Sequence, residues 1–218
     1  MESIKILYED KDIAVCVKPR GILSQAGKPG EETMLTALSG QLGGEFYPVH
    51  RLDRQVGGVM VYARSSASAG ALGKDIQQGN FKKEYLAAVL GAPAERSGEL
   101  EDLLLHDARK NKSFVVQRMR GGVKKARLAY LVLAQTQAQS LVQVRLYTGR
   151  THQIRVQFAS RKMPLAGDGR YGGGKGDPAL WSVRLTFRHP KTRMLVSYQG
   201  LPEALGCFTE LPALAEME

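Results

Sequence analysis

The sequence predicts an α+β fold, and three observations carry that expectation. Short apolar runs of strand length, IAVCV, GGVMVYA, EYLAAVL, LVQVRLY and LWSVRLTF, recur along the chain. Helical spacing is confined to three segments, near 32–42, 65–80 and 151–161. The two kinds of element do not alternate regularly, which argues against a repeating βαβ pattern.

The elements follow in chain order. IKILYEDKDIAVCVKPRG reads as a strand, a charged turn, a second strand at Ile13 to Val17, and a break at Pro19 to Gly21. Met34, Leu35 and Leu38 have helical spacing before Gly43 and Gly44 stop the run, so a short helix is expected from Glu32 to Leu42. GGVMVYA is a strand. SSASAGALGKDIQQGN is a serine-capped helix, with Leu72 and Ile76 four apart and Gly79-Asn80 as its stop. FKKEYLAAVLG returns as a strand apolar on both sides, hence covered on both faces. SFVVQRM and ARLAYLVL flank Arg120-Gly121-Gly122 and are expected to pair as a hairpin with a basic rim. LVQVRLY is a strand, TGRTHQIRVQFASR a helix with Thr151 as its cap, and LWSVRLTF and MLVSYQ are the last strands.

Composition narrows the function. The 31 Lys and Arg against 21 Asp and Glu leave a net charge of +10, which favours a polyanionic partner such as RNA or DNA. No apolar run approaches the roughly 18 residues of a spanning helix, and no long basic amphipathic stretch suits a membrane surface. The acidic residues Glu2, Glu9, Asp10 and Asp12 near the start do not fit a secretory or transit signal, so a cytoplasmic protein is expected. Cys16 and Cys207 are too far apart in sequence to suggest a disulfide framework or thiolate metal site.

Candidate chemistry gathers in HRLD around Asp53, KKEY around Tyr85, and GRTHQIR from Arg150 to Arg155. An aspartate near arginines stays ionised, which suits a nucleophile or electrostatic stabiliser; an ordinary surface ion pair is the bland alternative. His152 and Arg155 fall on one face of the expected helix, suited to phosphate contact, whereas no second histidine at ligand spacing supports a metal. Tyr85 taken alone is a half-buried strand aromatic. GDGRYGGGKG, residues 167–176, lacks the P-loop spacing and reads as a flexible surface loop.

Taken together, ILYEDKDIAVCVKPRGILS, HRLD, KKEYLAAVLG, GRTHQIRVQ and PLAGDGRYG resemble, in order and over nearly the whole chain, the RluA-type RNA pseudouridine synthases. The resemblance implies a pseudouridine synthase fold, a central, mainly antiparallel mixed sheet with flanking helices and an RNA cleft. A single catalytic domain over 1–218 is expected, without the separate N-terminal RNA-binding domain that many relatives carry, because the opening strands begin at Ile4, and a monomer is expected. The resemblance implies isomerisation of uridine to pseudouridine in ribosomal or transfer RNA, without metal or other cofactor. Asp53 would be the catalytic carboxylate, kept ionised by Arg155; Tyr85 would pack on the uracil and take the proton from carbon 5; Arg51 would fill the stack left by the flipped nucleotide. His50, Arg150, Thr151, His152, Gln153, Lys124 and Lys125 complete the expected RNA-binding set. The chain departs from the family pattern at Val56 and Gly57, which replace the Thr-Ser of the usual Thr-Ser-Gly and leave Gly58 in place, at Gln157 in place of a frequent His, and at Trp181. Two further readings compete: a non-enzymatic RNA-binding or ribosome-assembly factor with a degenerate site, and a metal-dependent nuclease using Asp53, His152 and Asp168.

Overall fold

The computed structural model describes residues 3–215. In chain order the elements are β1 (Lys5–Glu9), β2 (Ile13–Lys18), α1 (Met34–Leu42), β3 (Tyr47–Pro48), β4 (Gly57–Ala63), α2 (Ser66–Gln77), β5 (Lys82–Leu90), β6 (Ser97–Asp107), β7 (Lys112–Val116), β8 (Val123–Gln135), β9 (Gln139–Leu146), α3 (Gln153–Ala159), β10 (Leu180–Arg188) and β11 (Leu195–Gln199). The fold is α+β, as the strand-rich sequence predicts. Among the described residues no helix is long and apolar enough to cross a membrane. The chain divides into two compact units, one from residues 1–83 and 182–202, the other from 84–181 and 203–218.

In the first unit β1, β2, β4 and β10 are neighbours in that order, with β3 also on β4 and β11 on β10. Asp10 makes the first reversal: its Oδ1 accepts the N–H groups of Asp12 and Ile13, each at 2.8 Å. β2 then runs antiparallel to both β1 and β4, with Val15 opposite Val61 and Cys16 opposite Met60. That register sets Ile13, Val15, Val59 and Val61 on one face, where Leu72 of α2, Phe81, Leu185 and Phe187 complete a core. The opposite face holds Cys16, whose thiol burial pushes up to about 12. Ser65 caps α2 through the Ser68 N–H at 3.1 Å, and Thr33 with Thr36 forms a capping box on α1; each such cap stabilises its helix by about 1 kcal/mol.

In the second unit the neighbour order is β5, β9, β8, β6, β7. Here the expected hairpin is corrected. SFVV and ARLAYLVL do not pair; each pairs antiparallel with β6, on opposite edges, Leu105 facing Phe114 on one side and Val123 on the other. No element is predicted for 97–107, because Glu99, Glu101, Asp102 and Asp107 break the strand pattern that Leu100 and Leu104 bury. The connection 117–122 therefore passes across β6 from edge to edge, and Gly122 approaches the Leu105 side chain. As expected, β5 is buried on both faces from Glu84 to Val89.

Two further expectations on this unit are corrected. Thr151 is not the cap of α3: the helix starts later, His152 sits at the cap position with a left-handed φ of 55°, and no side chain caps it. The Thr151 carbonyl is held by Ser113 Oγ at 2.6 Å, and Gln153 Oε1 takes the Arg150 N–H at 3.0 Å. The glycine-rich loop is buried at Asp168 and Gly173, although Gly169, Arg170 and residues 174–177 are exposed as expected. The Gly167 N–H donates to the Gly173 carbonyl at 2.7 Å, and the Gly173 N–H to that of Asp168 at 2.8 Å. A Cβ on Gly173 would fall 1.7 Å from the Leu165 carbonyl oxygen, so only glycine closes this loop.

Candidate active site

Asp53 belongs to the first unit, in the loop that enters β4. Its neighbours are pinned through their backbone. Ser24, buried, donates from Oγ to the Leu52 carbonyl at 2.9 Å and accepts the Leu52 N–H at 3.2 Å. Beyond Asp53 the Val56 N–H returns to the Asp53 carbonyl, and the Gly21 N–H reaches the Arg54 carbonyl. The fully buried Lys18 directs its ammonium at three carbonyls, those of Pro19 (2.9 Å), Arg54 (3.1 Å) and Val56 (2.8 Å). Burial pushes the Lys18 pKa down to about 8, while the Asp53 carboxylate opposes that shift and Arg20 reinforces it. Lys18 thus ties down the loop and places positive charge by Asp53.

Of the arginines beside Asp53 in sequence, Arg54 is engaged with the segment 21–31. Arg54 donates from Nε to the Gly21 carbonyl at 2.8 Å and lies 3.5 Å from Glu31; Arg51 is exposed. His50 packs on Phe81, ring centres 5.6 Å apart, and its Nε2 accepts the Val61 N–H. Burial, with Lys83 adding, pushes its pKa down to about 3, so its ring is neutral. Of the departures beside the motif, Val56 is buried and its carbonyl takes the Lys18 ammonium, and Gly57 is buried at the start of β4, whereas Gly58 keeps the family's glycine. Gly58 has φ +125°, and a Cβ there would lie 2.2 Å from the Ser182 carbonyl oxygen.

Tyr85 and Arg155 belong to the second unit. Tyr85 is buried on β5 between Glu84 and Leu86. Arg155, 2% exposed on α3, gives Nε to Asp168 Oδ2 at 2.6 Å and Nη2 to Oδ1 at 2.8 Å, with Asp168 1% exposed. The ring of Tyr171 stands 5.2 Å from the guanidinium carbon. Its hydroxyl accepts the Ser113 N–H at 2.8 Å and meets His152 Nδ1 at 3.0 Å, and burial raises its pKa. Asp168 and Tyr171 were not expected in this role; the packed, glycine-closed turn that carries them is visible only in three dimensions.

The expected RNA-binding set of this unit is drawn together. Arg150 donates from Nε to the Lys125 carbonyl at 2.9 Å, and Gln153 Nε2 to the Arg127 carbonyl at 3.1 Å. Lys124 and Lys125 are exposed on β8, whereas His152 and Gln153 are buried. Gln157 is buried too, bonded to the Leu100 carbonyl and Asp102.

Residues 12–160, two-thirds of the chain, match the family model of RNA pseudouridylate synthase, and the chain belongs to that family. Among named relatives, it is 33% identical to the ribosomal large subunit pseudouridine synthase D of Nitrosomonas europaea, over 95% of this chain and 64% of that one. It is likewise 33% identical to an uncharacterized RNA pseudouridine synthase, YlyB, of Bacillus subtilis, over 92% of this chain and 70% of the other. The chain thus spans roughly two-thirds of these relatives' length. The human RNA pseudouridylate synthase domain containing 1 has the same fold, with a TM-score of 0.79 at 22% identity over 94% of this chain and 85% of its own.

Proposed function

We propose that the protein isomerises a uridine of ribosomal RNA to pseudouridine, acting as a cytoplasmic monomer without a cofactor. The observation that carries this reading is the Asp53 loop: a carboxylate in the family motif, its backbone immobilised on both sides, with the Lys18 ammonium close enough to act on it. The ribosomal substrate, and with it the cytoplasm, is supported by the names of the relatives.

In this reading the uridine is turned out of its RNA, at a cost of a few kcal/mol, and Arg51 fills the gap it leaves. The bond from the sugar to nitrogen 1 breaks and a bond to carbon 5 forms. One proton leaves carbon 5 and one is gained at nitrogen 1, so the composition of the RNA is unchanged. Asp53 acts at the sugar, either by forming an adduct or by assisting loss of a ribose proton. Tyr85 takes the carbon 5 proton, and Arg155 serves the same reaction by stabilising negative charge. Lys124, Lys125 and Arg150 offer phosphate contacts.

The test is carbodiimide mapping of pseudouridine by reverse-transcription stops, on total RNA and on unmodified ribosomal and transfer RNA transcripts, with wild type and Asp53→Ala. A new stop in ribosomal RNA made by wild type alone is expected. A stop confined to transfer RNA would overturn the substrate, and RNA binding without any stop would favour the non-enzymatic factor.

A further inference from the structure

The glycine-rich loop after α3 looks like a phosphate cradle, but the group it cradles belongs to the chain itself. We propose that Asp168 and Tyr171 are positioning residues that hold the Arg155 guanidinium in one orientation for the reaction. The proposal rests on the role given to Arg155 above.

Arginine reaches its charge through a long flexible stem, so a fixed Cα leaves the guanidinium undirected. Here the head group is fixed on two of its aspects. Asp168 takes Nε and Nη2 in a two-pronged pair, both partners buried. The Tyr171 ring stands against the guanidinium, and the Lys112 ammonium lies 5.2 Å from the same ring. The holders are themselves held. Asp168 Oδ1 also accepts the Arg170 N–H at 3.2 Å, and Arg170 Nη1 donates to the carbonyls of Lys110 and Asn111. The Tyr171 hydroxyl is fixed by the Ser113 N–H on β7. Gly173 permits the closure, since any side chain there would strike the Leu165 carbonyl. The carboxylate also gives the buried cation the paired, hydrogen-bonded partner that offsets part of its desolvation cost.

The test uses ¹⁵N-arginine-labelled full-length protein and single-turnover kinetics on the RNA identified by mapping. Arg155 is assigned by the signal missing in Arg155→Lys. In wild type, slow exchange of the Arg155 Nε–H with solvent is expected from its burial and its bond to Asp168. Asp168→Asn, close to isosteric, is expected to abolish that protection and to lower the single-turnover rate about 100-fold, the penalty of a small misplacement, with RNA affinity unchanged. Tyr171→Phe, which keeps the ring, retains slow exchange and rate; Tyr171→Leu, which keeps apolar bulk only, loses both. This pair decides the matter if Asp168→Asn does not fold. Slow Nε–H exchange and wild-type rate in Asp168→Asn, or in Tyr171→Leu, would overturn the proposal. Full activity in Arg155→Lys would instead remove Arg155 from the reaction. In that event, as when wild type makes no pseudouridine, the exchange measurement alone decides whether Asp168 and Tyr171 hold the guanidinium, and slow exchange in Asp168→Asn rejects it.

Discussion

The Asp53 loop and the Arg155 turn are immobilised in opposite ways. Around Asp53 the holding atoms bind backbone: Ser24 takes both polar groups of Leu52, and Lys18 takes the carbonyls of Pro19, Arg54 and Val56. Around Arg155 they bind the side chain, through the Asp168 carboxylate and the Tyr171 ring. Side-chain length explains the difference. An aspartate carries its carboxylate two torsions from the main chain, so a fixed backbone nearly fixes the charge; an arginine needs its far end held.

Breaking the first arrangement at its most constrained atom gives the largest expected effect. Gly58→Ala puts a Cβ against the Ser182 backbone at a φ of +125°, and a loss of about 4 kcal/mol or more is expected in urea denaturation. Lys18→Met leaves three carbonyls without their ammonium, at about 3 kcal/mol by the same measurement at neutral pH. Its pH dependence sharpens the comparison. Burial holds the folded-state pKa of Lys18 near 8 against 10.5 unfolded. Between those values the unfolded chain binds the extra proton, so Lys18 makes wild-type stability rise with pH across the window, and Lys18→Met flattens that rise. Ser24→Ala removes neutral hydrogen bonds only, and about 1–2 kcal/mol is expected. All three leave Arg155 Nε–H protection intact wherever the fold persists. Smallest is Lys124→Ala with Lys125→Ala, remote from both arrangements: RNA affinity falls without loss of stability, and its log-log salt dependence flattens by about 0.9 for each phosphate that the protein no longer neutralises.

The elements made of short continuous apolar runs were legible in the sequence. Ile13 and Val15 of β2, Val59 and Val61 of β4, and the Ser65 cap declare themselves within a few residues. β6 was hidden because Glu99 and Glu101 pair outward with Arg127, at 2.7 and 3.1 Å, while Asp102 interrupts the buried face of Leu100 and Leu104 to meet Gln157 and Arg161. The two strands expected to pair lie on either edge of β6, since adjacency in sequence says nothing of a third strand between them. At the candidate site Asp53, Tyr85 and Arg155 could be named from motifs, but their holders could not. Lys18 binds carbonyls up to 38 residues away, and Asp168 approaches Arg155 only through a turn that Gly173 allows.

The first unit closes with strands made long after it begins. Its β4 acquires β10 as a neighbour only when residues 182–202 have been synthesised, after all of 84–181. Until then a nascent chain leaving the ribosome presents β4, apolar on both faces, with an open edge. The segment bearing Asp53 is thus translated early and completed late, and the interval exposes it to mispairing.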